Sequence, residues 1–259
     1  MVLTRVLKGV LTGLVLCFLV TQVKATQTKL PENTMNLPPN SIELVHGTGE
    51  ATHAVIWLHG LGATANDFPP IVPELGLSDT RTIKFIFPQA PSRPITINGG
   101  MNMPGWYDIK GMNIEDKQDA EGMAQSQVLL ESIVSGLIDS GIKSTNIVLA
   151  GFSQGGAVTY FTGIRSQHKF AGLLALSTYL PFDSDSQAQH SGANVKTPIF
   201  ASHGTFDAVV PIGLGEMSVG VLKELGYHVD WKTYPMEHQV AMEQIQDIGK
   251  WIESVFRDK

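Results

Sequence analysis

The stretch IVLAGFSQGGAVTYF, residues 147–161, decides how this chain folds. Its first four residues are apolar and predict a buried strand, whereas its last five predict the start of a helix. Between them, residues 151–155 form a Gly-x-Ser-x-Gly pentapeptide, which is typical of a sharp turn from a strand into a helix. A glycine on each side of the serine relieves the crowding that a Cβ atom would cause. The stretch therefore predicts that Ser153 stands above the edge of a sheet, where its hydroxyl is placed to attack a carbonyl group.

Short apolar segments alternate with helical segments on both sides of this turn. Strands are predicted at residues 42–46, 54–58, 84–87, 147–152, 171–176, 198–202 and 229–234, and helices at residues 119–139, 154–165, 213–225 and 240–256. Strands that are apolar along their length and joined by helices form a mostly parallel sheet with helices on both faces. Right-handed crossovers then bring the carboxyl ends of the strands to one edge, where ligands bind.

Two partners for the serine follow later strands of this predicted α/β fold. A serine at neutral pH needs a histidine to accept its proton and a carboxylate to orient that histidine. In this architecture the order along the chain is serine, acid and histidine. Asp207 lies in the loop after the strand at 198–202, and His238 lies between the strand at 229–234 and the last helix. We therefore predict that Ser153, Asp207 and His238 form a catalytic triad.

Other histidines and acids compete for these roles. His59 and His203 each precede a glycine at a strand end, and we interpret them as structural residues that bond loop backbone, with direct chemistry as the alternative. Asp183 and Asp185 follow the wrong strand for the common arrangement, and Asp230 lies within a strand.

The negative oxygen of a tetrahedral intermediate needs two fixed N–H donors. The backbone N–H of Gln154 is one candidate, because it follows the nucleophile and lies at a helix N-terminus. The backbone N–H of Leu61 is the other, in the segment HGLG, residues 59–62, after an early strand. The alternative is that these glycines only make a tight turn.

Seven ordered segments of the chain resemble those of one known family. They are HGLG (59–62), FPQAP (87–91), GWYD (105–108), GFSQGG (151–156), LSTYLP (176–181), HGTFD (203–207) and EH (237–238). From about residue 40 to residue 256 the chain is similar to the phospholipase/carboxylesterase family of α/β-hydrolases, which includes bacterial carboxylesterases and acyl-protein thioesterases. The resemblance implies the α/β-hydrolase fold, the triad and the two oxyanion donors reached above.

Two further segments bear on the substrate. The apolar segment at residues 88–116 predicts a wall for an acyl chain, although a loop packed on its own sheet explains it equally well. Trp106 and Leu180, which lie in matching segments, are the predicted substrate contacts. The segment at residues 177–197 is too short for a large cap domain, so the site is expected to be open.

The function predicted from these features is hydrolysis of carboxylic esters with short to medium acyl chains through an acyl-enzyme intermediate. A lysophospholipase or an acyl-protein thioesterase is the nearest alternative, because both act on an acyl carbonyl. An esterase that deacylates polysaccharides also fits. A non-catalytic binding protein on the same fold is a remote alternative, since no member of the triad is missing.

The N-terminal region predicts how the protein is targeted. Residues 1–25 have a positive start, an apolar core at 10–20 and a small residue, Ala25, at the end, which predicts a signal peptide or an uncleaved anchor. Residues 26–40 read as a polar linker, and residues 41–259 as the catalytic domain. The expected location is therefore outside the cell or periplasmic, or at a membrane through the N-terminal segment alone. This departs from the family's usual cytosolic members.

Composition excludes several classes of function. The net charge of −6 argues against a nucleic-acid partner. The only cysteine, Cys17, lies in the N-terminal segment, so disulfides and thiol chemistry are not expected in the domain. The predicted chemistry needs no cofactor and no metal. An exposed edge strand or the methionine-containing segment is compatible with a homodimer, although no sequence signal specifies one.

Overall fold

The computed structural model describes residues 35–111, 118–181 and 189–257 of the chain. Within these residues, the main sheet has seven strands in the order β1-β3-β2-β6-β7-β8-β9. The strands are β1 (Ile42–His46), β2 (His53–Leu58), β3 (Ile83–Phe87), β6 (Ile147–Phe152), β7 (Gly172–Leu176), β8 (Ile199–Gly204) and β9 (Val229–Tyr234). All pair in parallel except β1, which runs antiparallel to β3 at one edge. The predicted mostly parallel sheet is confirmed.

Helices cover both faces of this sheet, as predicted. The described α-helices are α1 (Ala120–Asp139), α2 (Gln154–Arg165), α3 (Ile212–Glu224) and α4 (Met242–Val255). Buried side chains of α1, α2 and α3 form one core cluster with one face of the sheet, and those of α4 form a second cluster with the other face. Strand β2 contributes to both, because Ala54 and Ile56 enter the first cluster while Val55 and Trp57 enter the second. Side chains alternate between the faces of a strand, so a strand covered on both sides is apolar at every position.

The segment at residues 88–116, for which the sequence predicts a loop, contains a hairpin. Strands β4 (Ser92–Ile95) and β5 (Met101–Pro104) pair antiparallel as a separate two-stranded sheet. Gly99 and Gly100, with φ of 66° and 79°, carry the chain through the turn. The prolines in both strands concealed the hairpin, because proline removes a backbone donor and weakens a strand prediction. Residues 112–117 of this segment lie outside the described residues.

Several predictions concern residues that lie wholly or partly outside the described part of the chain. The predicted signal peptide at residues 1–25 lies there, and so does most of the predicted linker at 26–40. The segment predicted to be too short for a cap is described only at residues 177–181 and 189–197. In the part of the chain that is described, no helix has the length and apolar character needed to cross a membrane.

Candidate active site

Ser153 lies at the apex of the turn between β6 and α2. Its backbone has φ of 54° and ψ of −121°, a conformation that is rare and strained for any residue with a side chain. The Ser153 N–H donates to the carbonyl oxygen of Leu176 at 2.8 Å, and the hydroxyl of Thr178 donates to the Ser153 carbonyl at 2.7 Å. These bonds from the next strand hold the turn in its strained form.

Close approach of backbone segments explains the two glycines of the pentapeptide. A Cβ atom on Gly151 would collide with the carbonyl group of Gly155. A Cβ atom on Gly155 would lie 2.5 Å from the carbonyl oxygen of Leu58, at the end of β2. The colliding atoms are backbone atoms of helix α2 in the first case and of strand β2 in the second. Such atoms cannot move aside as the end of a flexible side chain can, so only glycine fits at either position.

Replacing Gly155 by alanine is therefore expected to lower the free energy of unfolding by about 3 kcal/mol, the upper part of the usual range for overpacking. Urea denaturation measures the change. Gly220→Ala in α3 is the matched control: a Cβ there meets no atom within 4 Å. The control is expected to raise stability by up to about 1 kcal/mol, because alanine favours helix over glycine. Equal stability of the Gly155→Ala variant and the wild type would show that the turn relaxes.

The structure brings Ser153, His238 and Asp207 together in one hydrogen-bonded chain. Nε2 of His238 lies 2.9 Å from Oγ of Ser153, and Nδ1 of His238 lies 2.7 Å from Oδ2 of Asp207. The three residues follow β6, β9 and β8, whose carboxyl ends share one edge of the sheet. A carboxylate only accepts hydrogen bonds, so Nδ1 carries the hydrogen and Nε2 is left to accept the proton of the serine hydroxyl.

The carboxylate of Asp207 is fixed by its own loop. Its Oδ1 accepts hydrogen bonds from the backbone N–H groups of Val209 and Val210, both at 2.9 Å. This leaves Oδ2 directed at His238. The side chain of Asp207 is fully buried, which keeps water from competing for its oxygens.

The side chains of His203 and His59 form hydrogen bonds with backbone groups of loops, as the sequence predicts. Nε2 of His203 donates to the carbonyl oxygen of Val210 at 2.8 Å and so closes the loop that holds Asp207. Nδ1 of His59 donates to the Gly60 carbonyl at 2.8 Å, and Nε2 accepts the N–H of Ala90 at 3.1 Å. Burial lowers the pKa of both histidines, which favours the neutral ring in each case.

The two predicted oxyanion donors lie beside the serine. Gln154 is the first residue of α2, where backbone N–H groups have no partner within the helix. A Cβ on Gly60 would lie 3.4 Å from Cβ of Ser153, so the segment that carries Leu61 packs directly against the turn. Within the described residues, neither the Leu61 nor the Gln154 N–H donates to a protein acceptor. Both are available to a ligand oxygen.

Trp106 and Leu180 do not lie where a substrate contact was predicted. Their exposed fractions are 1% and 3%, and both belong to the core cluster beneath the site. The indole Nε1 of Trp106 donates to the carbonyl oxygen of His59 at 2.7 Å, and the Leu180 N–H donates to Oγ of Ser218 at 2.7 Å. The alternative interpretation of the segment at residues 88–116, a loop packed on its own sheet, describes Trp106 better. Leu180, for which no alternative was considered, is likewise buried in the core.

The side chain of Gln154 has a role that sequence reasoning missed. Its Oε1 accepts the N–H of Trp106 at 2.8 Å, and its Nε2 donates to the carbonyl of Tyr107 at 2.6 Å. The residue after Ser153 therefore connects the segment after the β4–β5 hairpin to the turn. Both segments, GWYD and GFSQGG, stand out in the sequence because they match the family. The sequence does not show that they contact each other, so this role could not be predicted.

Exposed apolar side chains also flank the site. Phe206 and Val209, on either side of Asp207, are 67% and 69% exposed. Ile97 and Met101 are exposed in the β4–β5 hairpin, which contacts the HGLG segment through the Gly62 N–H and the Pro104 carbonyl oxygen at 2.8 Å. Over residues 35–111, 118–181 and 189–257, no group of three or more His, Cys, Asp or Glu side chains is arranged to hold a metal ion.

A mostly parallel sheet between helices, with a serine raised on a turn from strand to helix, defines the α/β-hydrolase class of protein. Comparison with known proteins narrows the class. The chain belongs to the family described as Phospholipase/Carboxylesterase, whose sequence model matches residues 39–256. The resemblance inferred from the seven segments is thus confirmed, and the protein is a hydrolase of this family.

Curated relatives and solved structures agree with this assignment. The chain is 37% identical over 227 residues to acyl-protein thioesterase 1 of Yarrowia lipolytica, covering 86% of this chain and 100% of the relative. It is 40% identical over 218 residues to acyl-protein thioesterase 1 of Neurospora crassa, covering 81% and 89%. Arabidopsis thaliana SOBER1 matches with a TM-score of 0.75 at 29% identity, covering 79% of this chain and 99% of that one. Zea mays acyl-protein thioesterase 2 gives 0.73 at 25% identity, covering 83% and 99%.

The same comparison shows that the prediction of an exported or membrane-anchored protein is wrong. The curated relatives are fungal acyl-protein thioesterases. They are the usual kind of member of this family, in which an export signal is not expected. That prediction rested on residues 1–25 alone, with their positive start, their apolar core at 10–20 and the small residue Ala25. Such a segment is defined by composition, which many apolar N-terminal sequences share.

Proposed function

We propose that this protein hydrolyses acyl thioesters, with Ser153 as nucleophile, His238 as general base and acid, and Asp207 as the residue that orients His238. The observation that carries the proposal is the hydrogen-bonded chain from Ser153 Oγ through the His238 ring to Asp207, at 2.9 and 2.7 Å. Distances of this size permit direct proton transfer between serine and histidine.

The reaction proceeds in two acyl transfers. Oγ of Ser153 attacks the acyl carbonyl carbon while its proton moves to Nε2 of His238. The bond from carbon to sulfur then breaks, His238 returns the proton to the leaving thiolate, and the acyl group stays on Ser153 as an ester. Water attacks this ester with His238 again accepting the proton, and collapse releases the carboxylic acid and restores the serine hydroxyl.

The developing negative charge in both steps falls on the carbonyl oxygen. The free N–H groups of Leu61 and Gln154 are the proposed donors to that oxygen, assisted by the N-terminus of α2. Donors of this kind act without rearrangement, because the backbone already holds them. Buried His59 holds its own segment beside the serine through its bonds to Gly60 and Ala90.

The proposed substrate is a thioester linked to protein, and not the carboxylic ester of a short to medium acyl chain that the sequence predicts. The relatives that are 37% and 40% identical are both acyl-protein thioesterases. The predicted preference for carboxylic esters has no comparable support. The exposed side chains of Phe206 and Val209 beside Asp207 provide apolar surface for an acyl chain or for the peptide that carries it.

A matched substrate panel tests the choice. The purified protein is given a peptide acylated on cysteine, the same peptide acylated on serine, a p-nitrophenyl ester of the same acyl chain and a lysophosphatidylcholine. We expect kcat/KM for the thioester peptide to exceed that for the serine ester by at least about tenfold, a difference of about 1.4 kcal/mol in transition-state binding. Each rate is divided by the uncatalysed rate, so that the greater reactivity of thioesters is not counted.

The panel also separates the alternatives. A higher corrected kcat/KM for the p-nitrophenyl ester would restore the carboxylesterase interpretation. A higher value for lysophosphatidylcholine would identify a lysophospholipase. Ser153→Ala supplies the background for every substrate.

A further inference from the structure

Three lysines precede three neighbouring strands at similar positions. Lys143 stands four residues before Ile147, the first residue of β6. Lys169 stands three residues before Gly172 of β7, and Lys196 three residues before Ile199 of β8. Because these strands are parallel neighbours, their amino ends share one edge of the sheet, and so do the three exposed lysines.

The lysines line one cleft together with Arg257, which follows α4. The cleft has a volume of about 270 Å³. Its lining includes the buried rings of Phe170 and Phe256, which close it from the inside. Four cationic side chains from four separate segments of the chain thus meet around a single concavity.

These four cations have no counter-ion in the described part of the chain. None of them takes part in an ion pair there, whereas Lys84 pairs with Glu43, Lys232 with Asp247 and Arg81 with Glu253. The whole chain carries a net charge of −6, so the positive cluster is not a consequence of an excess of basic residues. Like charges held near one another repel, and a bound anion would relieve that repulsion.

We propose that this cleft is a binding site for a soluble anion that carries two or more phosphate groups. Lysine ammonium groups bind phosphate as point charges, and the arginine guanidinium offers a planar pair of donors to phosphate oxygens. Four cations match a ligand with several negative charges better than a single phosphate. The size of the cleft suits a small molecule.

A soluble ligand fits this cleft better than an anionic membrane. The site is concave, and none of the large apolar side chains exposed in the described residues lines it. Proteins that dock on lipid usually add apolar side chains that enter the bilayer. The cleft is also separate from the active site, because strands of six residues, about 20 Å long, lie between the two edges of the sheet.

Titration calorimetry with inorganic tripolyphosphate tests the proposal. The wild type is expected to bind, and the Kd is expected to rise when the ionic strength is raised from about 0.05 to about 0.3 M, because salt screens exposed charges. The variant Lys143→Gln/Lys169→Gln/Lys196→Gln is expected to bind about 30-fold more weakly, since each exposed charge contributes a few-fold. The matched control, Lys84→Gln/Lys232→Gln/Lys250→Gln, removes the same charge at residues that do not line the cleft and is expected to stay within about twofold of the wild type.

Three results would overturn the site. Absence of tripolyphosphate binding to the wild type is the first. Equal weakening in the two triple variants is the second, because it would mean that overall charge decides binding. The third is sedimentation with phosphatidylserine vesicles of the wild type but not of the Lys143→Gln/Lys169→Gln/Lys196→Gln variant, which would identify the cleft as a membrane contact. Unchanged hydrolysis of the thioester peptide by both variants verifies that they are folded.

Discussion

Ser153→Ala is expected to lower kcat by about a million-fold, to a rate supported only by the oxyanion donors and substrate binding. The variant is expected to keep the fold, because among the described residues the hydroxyl of Ser153 bonds only to His238. The strained turn is held by the Ser153 N–H, which donates to the Leu176 carbonyl oxygen, and by the Thr178 hydroxyl, which donates to the Ser153 carbonyl oxygen. Steady-state hydrolysis of the thioester peptide measures the loss.

Labelling with a fluorophosphonate probe gives an independent readout of the same residue. The wild type is expected to react and Ser153→Ala is not, because only an activated serine attacks the phosphorus atom. Ser177→Ala serves as the matched control: Ser177 also has positive φ, at 46°, but it lies fully buried after β7. Full labelling of Ser153→Ala would show that another residue is the nucleophile. No labelling of the wild type would favour a binding protein on a hydrolase fold.

Asp207→Asn is expected to lower kcat by about ten thousand-fold, as loss of the orienting carboxylate does in other triads. The structure supplies the reason. One oxygen of Asp207 accepts the N–H groups of Val209 and Val210, and the other accepts Nδ1–H of His238. An amide has a single acceptor oxygen, so either the loop or the histidine would face an NH₂ group. A histidine that faces a donor adopts the wrong tautomer and cannot accept the proton of Ser153.

Thermal unfolding separates this explanation from a general loss of folding, since the variant is expected to retain the thermal transition of the wild type. Asp230→Asn, which makes the same change of charge at an exposed position of β9, is the control and is expected to be fully active. A loss of less than about tenfold in Asp207→Asn would contradict the proposed role of the carboxylate.

Much of the fold was predictable because its signals are local. Strands β6 and β9 and helix α2 have the predicted bounds, since each is apolar or amphipathic throughout and ends at a clear turn. The proximity of Ser153, Asp207 and His238 was predictable for a different reason. Each follows a strand, and parallel strands end at one edge.

The position of Trp106 was not predictable. An aromatic residue in a segment rich in glycine and proline has the same local sequence whether it lines a pocket or fills a core. Its burial depends on two distant partners, the carbonyl oxygen of His59 and the side chain of Gln154. Neither contact leaves a periodic signal in the chain. The β4–β5 hairpin escaped prediction because its prolines oppose the strand pattern.

The two side-chain bonds of Gln154 have a consequence for redesign. Gln154 carries a proposed oxyanion N–H, and its side chain also bonds the backbone of Trp106 and Tyr107. Remodelling the hairpin to admit bulkier acyl groups is therefore expected to shift the proposed donor, so that a change in selectivity also changes turnover. Libraries that vary the hairpin while retaining glutamine at position 154 should therefore yield more active catalysts than libraries that vary both.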